Sequence, residues 1–166
     1  MSEVIVVNEK DEVLGTMLKS EAHQNGTLHR IAVVYVENSN GDILIQKRAD
    51  GYLDHFSAGH VEIGESYEEA AYRELSEELG IKEVKLKYVG HGMTRNEIYP
   101  GAKKSSHVFD IFSCVADPGK LQTNEVSSVY WAKPQDILLD MKENVNNHKY
   151  CVGFIESLQI FLNRNK

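Results

Sequence analysis

Alternation of apolar and polar positions marks the first third of the chain as β-structure. Residues 4 to 18, VIVVNEKDEVLGTML, carry two β-branched runs separated by polar residues 8 to 11, which predicts a hairpin. A second hairpin is predicted over residues 29 to 48, HRIAVVYVENSNGDILIQKR, with Asn40-Gly41 as its turn. ADGYLDHF reads as a loop, followed by a short strand near SAGHV. The period then changes from two to 3.6. Ala71, Leu75 and Leu79 make one apolar stripe, Ser66 and Glu69 have capping-box spacing, and Gly80 is a stop signal, so a helix is expected from Tyr67 to Leu79. Residues 84–92, 105–116 and 126–132 read as strands, and Pro134 opens a short helix through PQDILLDMKEN. Cys151, Phe154, Ile155, Leu158, Phe161 and Leu162 follow a helical period near the C-terminus. The pattern predicts one α/β domain over residues 1–166. Residues 1–28 form an N-terminal hairpin and lead-in, and a mixed, mostly antiparallel sheet lies between helices.

Composition removes some functions. The 166 residues carry 42% hydrophobic and 26% charged positions, ordinary for one globular domain. A net charge of −7 argues against a nucleic-acid partner, which would need a basic face. Small phosphorylated molecules stay open, because a bound divalent ion reverses the local field. Cys114 and Cys151 form no CxxC and read as buried packing residues, so a reducing cytoplasm fits better than an oxidising compartment. The start of the chain shows no basic segment followed by an apolar run, and no membrane span is expected. A homodimer is left open.

The chemistry begins in RELSEELGI, residues 73 to 81. At 100° per residue, Glu74, Glu77 and Glu78 share an arc of roughly 100°. Like charges three and four apart destabilise a helix by about 0.2–0.5 kcal/mol per pair. The bland explanation is a solvated acidic face; the alternative is a metal ion, since clustered carboxylates become favourable around Mg²⁺.

The wider stretch GHVEIGESYEEAAYRELSEELGI, from Gly59 to Ile81, favours the metal. Gly, five residues, Glu, seven residues, then Arg-Glu-Leu-x-Glu-Glu-x-Gly-Ile matches the Nudix box at every fixed position, and the chain resembles the Nudix hydrolase superfamily. The resemblance implies an α/β/α sandwich and a hydrolase that cleaves a diphosphate bond in a nucleoside diphosphate-linked or related small molecule by water attack on phosphorus. It implies Mg²⁺, or Mn²⁺, held by Glu74, Glu77 and Glu78 with help from Gly59, and a structural pair made by Glu65 and Arg73. For the general base it leaves open a box glutamate, Glu77 or Glu74, or a later loop glutamate, Glu125 or Glu97.

AHQNGTLHRIAVVYV, GDILIQKR and SAGHVEIGE resemble one branch in particular, that of isopentenyl-diphosphate isomerase. The isomerase's catalytic cysteine falls here on Ala58, and its catalytic glutamate approximately on His107. Both acid–base groups are missing, whereas the box is intact, so hydrolase is expected over isomerase. A silent nucleotide-binding module is a third reading, disfavoured by the complete carboxylate set. The isomerase also holds a metal with three histidines, matched by His23, His29 and His60, and His107 offers a fourth imidazole. The alternative is that these are scaffold or phosphate contacts, and the small gap needed to align His23 favours it. Arg30, Lys47 and Arg48 are candidate phosphate contacts. Tyr52, His55 and Phe56 are candidates for a leaving-group pocket, or else core.

Overall fold

Strand β3 (His29–Glu37) is the axis of the molecule, because Ala32 through Val36 are buried on both faces of the sheet. A continuous apolar run of this kind suits a strand with parallel neighbours and covered faces. Its partner is β8 (Ser105–Val115), parallel to β3 over nine positions from His29↔His107 to Glu37↔Val115. The other neighbouring strands are antiparallel: β1 (Glu3–Val7) with β2 (Val13–Leu18), β6 (Ala58–His60) with β3, and β7 (Lys87–Glu97) with β8. Farther out, β4 (Ile43–Arg48) pairs antiparallel with β5 (Leu53–His55) and β9 (Val126–Ala132). The computed structural model describes residues 2–55, 57–97, 104–117, 126–144, 149–151 and 153–166.

Helix α2 (Tyr67–Leu79) has both bonds of its capping box, Ser66 accepting from the Glu69 amide and Glu69 accepting from the Ser66 amide. Gly80 closes it in a left-handed conformation, φ 66°. Ala70, Ala71, Leu75 and Leu79 lie against Ala32, Val34, Val36, Val108 and Phe112 on one face of the sheet. Burial of each leucine contributes about 1.5–3 kcal/mol. The opposite face, built from Val33, Tyr35, Ile43, Ile45, Phe109 and Ile111, is covered by α3 (Pro134–Glu143) and α4 (Phe154–Leu162). The result is the expected α/β/α sandwich. Among the described residues no helix is long and apolar enough to cross a membrane.

Four expectations need correction. The predicted hairpin over 29 to 48 closes at its turn, but β3 and β4 then pair only at Glu37↔Ile43. Strand β6 and Ser57 take the edge of β3 that β4 would have used: Ile31, Ala32 and Val33 face His60, Gly59 and Ala58, and the Val34 amide donates to Ser57 O at 2.8 Å. The expected loop at 49–56 contains β5. A helix, α1 (Lys19–Asn25), stands in the lead-in; it is seven residues long and buries only Ala22. Cys151 does not lie on α4, which begins at Phe154 after the left-handed Gly153; its amide instead donates to Leu53 O at 2.8 Å.

Candidate metal centres on two faces of one sheet

The short strand β6 points consecutive residues at opposite faces, as pleating requires. Gly59 faces α2. A Cβ built there would lie 2.1 Å from the Glu74 carboxyl, so any side chain would drive Glu74 out of place. Arg73 then ties the loop before the helix to the helix itself. Its Nε donates to Glu65 at 2.7 Å, one terminal nitrogen to Glu74 at 2.8 Å, and the other to His60 O at 2.9 Å. Glu65 also accepts from the Glu62 amide at 2.9 Å. Burial alone would raise the Glu65 pKa, but these donors hold it below the usual carboxylate range.

Glu74 behaves differently. Its side chain is 14% exposed, and burial raises its pKa despite Arg73, with the charge of Glu77 adding to the shift and a hydrogen bond with Glu78 opposing it. Glu78 is half-buried beside it, while Glu77 is 60% exposed and 3.4 Å from Arg73. A buried carboxyl in contact with a second one needs a proton or a cation between them. The donors are all oxygens, and the Gly59 cradle keeps them close to the backbone, which fits a hard divalent ion such as Mg²⁺. Of the alternative bases, Glu97 ends β7, with its side chain outside the described residues, and Glu125 lies outside them altogether.

His60 points to the other face. The parallel register sets His29 beside His107, and the β3–β6 register puts His60 across from Ile31, so three imidazoles meet at one end of the sheet. Helix α1 brings His23 over them. One nitrogen from each of His23, His29, His60 and His107 lies within 4.8 Å of the others. The four histidines, expected as scaffold or phosphate contacts or as metal ligands, therefore converge in one cluster. His29 Nδ1 bonds Thr27 O at 2.7 Å, and His23 Nδ1 bonds Lys104 O at 3.2 Å. In each case this turns Nε2 inward as a lone-pair donor. Burial keeps the rings neutral: the pKa of His29 falls to about 4 and that of His60 to about 2, and that of His107 is well below normal. Nearby positive groups, including Lys19, push the same way.

Other candidates are committed elsewhere. Arg30 was expected at phosphate; its Nε bonds Asp11 at 2.7 Å, a terminal nitrogen bonds Asp11 O at 2.8 Å, and its guanidinium lies 5.1 Å from the Tyr67 ring. It fastens the first hairpin to the start of α2. Arg48 pairs with Asp50 at 3.1 Å and reaches the Cys151 sulfur at 3.8 Å. Burial first, then the Asp54 charge, push the Cys151 thiol far above its ordinary pKa, leaving no thiolate for chemistry. His55 is buried, bonded to Asp54 and stacked 4.9 Å from Phe154, so it is core and not pocket wall. Tyr52 and Lys47 flank this region, and Phe56 lies outside the described residues. The carbonyls of Thr27 and Lys104, which orient two imidazoles, had no signal in the sequence because every residue carries one.

Comparison with known proteins places this geometry in a family. The NUDIX domain model matches residues 27–152, most of the chain, and the protein belongs to the Nudix family. It is similar to an uncharacterized Nudix hydrolase of Pseudomonas aeruginosa, 31% identical over 94% of this chain and 90% of the relative. YfcD, an uncharacterized Nudix hydrolase of Escherichia coli K12, is 31% identical over 98% of this chain and 87% of its own. The chain's enzyme class is that of a Nudix hydrolase. The isopentenyl-diphosphate Delta-isomerase of Pectobacterium atrosepticum is 39% identical, but over only 49% of each chain, consistent with the suspected branch. Among solved structures, DR0079 of Deinococcus radiodurans shares the fold with a TM-score of 0.74 at 24% identity, over 95% of this chain and 97% of that one.

Proposed function

We propose that the carboxylate face is a Mg²⁺-dependent site that hydrolyses a diphosphate bond in a nucleoside diphosphate-linked or related small molecule. The observation that carries this reading is the buried Glu74 carboxyl, wedged against Gly59 and bonded to Glu78 with Glu77 alongside. Glu74, Glu77 and Glu78 would hold the ion; Mn²⁺ suits the same oxygens. When bound, such an ion lowers the pKa of water and neutralises charge on the diphosphate. Arg73 keeps Glu74 oriented and so cannot also serve as a mobile phosphate clamp. Glu77, the most exposed of the three, is the first choice to accept the proton of the attacking water.

Isomerisation is disfavoured by the same strand. Ala58 packs on the α3–α4 side with no ionisable group, and His107 is one of the four clustered imidazoles and stands in for no carboxylate. The decisive assay is a panel of nucleoside di- and triphosphates, nucleotide sugars, dinucleoside polyphosphates and prenyl diphosphates with Mg²⁺ or Mn²⁺. Release of a phosphate-bearing product from at least one class is expected, abolished by EDTA. Solvent deuterium entering a prenyl chain, with no hydrolysis of any compound, would overturn the reading.

A further inference from the structure

Strand β2 ends the sheet: β1 pairs with one of its edges, and among the described residues no strand pairs with the other. A bare edge offers a row of backbone N–H and C=O groups to any second strand, and proteins defend it with charge, proline, shortness or distortion. The long edge strand β7 is defended. It carries Lys87, His91 and Arg95, and its pairing with β8 shifts register at Tyr88/Gly90 and again at Thr94/Glu97. Strand β2 has little of this: residues 13–18, VLGTML, hold no charge and no proline. Val13 is 57% exposed and Leu14 66%, with Gly15 and Thr16 exposed beside them. Contiguous apolar surface on a bare edge marks an interaction site.

The flanks of the strand identify the partner. Glu12 directly precedes β2 and Lys19 directly follows it, and both are exposed. Let two copies pair antiparallel about a two-fold axis between Gly15 and Thr16. Val13 of each copy then lies opposite Leu18 of the other, Leu14 opposite Met17, and Glu12 opposite Lys19. Apolar meets apolar along the strand and opposite charges meet at both ends, the pairings that stabilise a ladder. The strand is complementary to itself. Leu14 is the extra residue of a bulge against β1, where Val6 faces Gly15 and Val7 faces Val13. A one-place slip there leaves the long Lys19 side chain within diagonal reach of Glu12.

We propose that β2 is a dimerisation edge, on which a second copy of this chain adds its own β2 antiparallel, with Glu12 of each copy against Lys19 of the other. The contact is isologous and closes at two copies, because each β2 edge is used up by the other. It joins the two sheets into one and sets the first residue of α1 at each end of the joint. The proposal is independent of hydrolysis.

Sedimentation velocity of the full chain over a dilution series, with amide exchange in residues 13–18, tests it. The wild type should be a dimer that dissociates on dilution, and exchange in β2 should be at least tenfold slower in the dimer. Thr16→Lys, which puts a charge at the centre of the joint, should give a monomer. Glu12→Lys and Lys19→Glu should each weaken the dimer roughly tenfold, and the double variant Glu12→Lys with Lys19→Glu should restore it. A wild type that stays monomeric at every concentration would overturn the proposal. So would a dimer indifferent to Thr16→Lys, which would place the joint elsewhere. A charge swap that fails to restore pairing would overturn the register. The wild-type dilution and exchange decide the point even if a variant does not fold.

Discussion

Gly59 and His60 are neighbours in the chain and serve opposite faces of one sheet, and the two faces are built on different principles. On the α2 side, Glu65, Arg73, Glu74, Glu77 and Glu78 come from one loop and one helix. On the other side, His23, His29, His60 and His107 come from four elements spread across the chain. The carboxylates are graded from buried to exposed and repel one another. Burial lowers the pKa values of His29, His60 and His107, and backbone carbonyls orient His23 and His29. A hard ion exchanging with solvent and substrate suits the first face, whereas the second offers only nitrogens and none of the oxygens such an ion requires. Two different donor sets thus meet on a three-residue strand, because pleating sends alternate positions to opposite faces.

The largest way to separate the faces is Glu78→Gln. It keeps the shape and removes a charge, so hydrolysis should fall on the order of 100-fold or more while the fold persists. Steady-state rates at saturating Mg²⁺ check this, and near wild-type turnover would remove the box from the mechanism.

Gly59→Ala should come next. The methyl would sit about where the Glu74 carboxyl now lies, so Glu74 must move; overpacking of this kind costs about 1–3 kcal/mol. Denaturant unfolding should show the loss, and Mg²⁺ affinity should drop with it. Unchanged affinity would mean that Glu74 is not a ligand.

Acid should injure the imidazole face specifically. In metal-free protein the pKa values of His29, about 4, and His60, about 2, lie below the roughly 6.5 of an unfolded chain. The unfolded state therefore binds more protons as pH falls through 6.5, and stability is lost toward pH 4. From pH 7 to 5.5 each such histidine should remove about 1 kcal/mol. Urea melts in EDTA at the two values measure it, and a flat profile would show that the rings are not buried as neutral groups.

The smallest effect is local. Ser66→Ala removes half of the capping box and should cost about 1 kcal/mol, with hydrolysis per folded molecule nearly intact. A thermal melt paired with the rate assay distinguishes this from damage to the carboxylates.

The carboxylate face was legible in the sequence because its geometry is that of one helix. Spacing of three and four residues puts Glu74, Glu77 and Glu78 on one arc, Ser66 and Glu69 announce the start, and Gly80 the end; no distant residue is needed to establish any of this. The α/β layering was legible for the same reason, as a change of period along the chain. The partners of β3 were not. The apolar run of β3 is compatible with a parallel neighbour but does not say that its neighbours are β6 and β8, and the hairpin signal at Asn40-Gly41 pointed instead to β4.

Only that tertiary pairing brings His29 beside His107 and turns His60 and His23 toward them. It also spends Arg30 on Asp11. Long-range pairing is set by the whole core, since each contact must offset the entropy of closing the chain between its ends. The residues at those ends carry the chemistry but not the address of their partners.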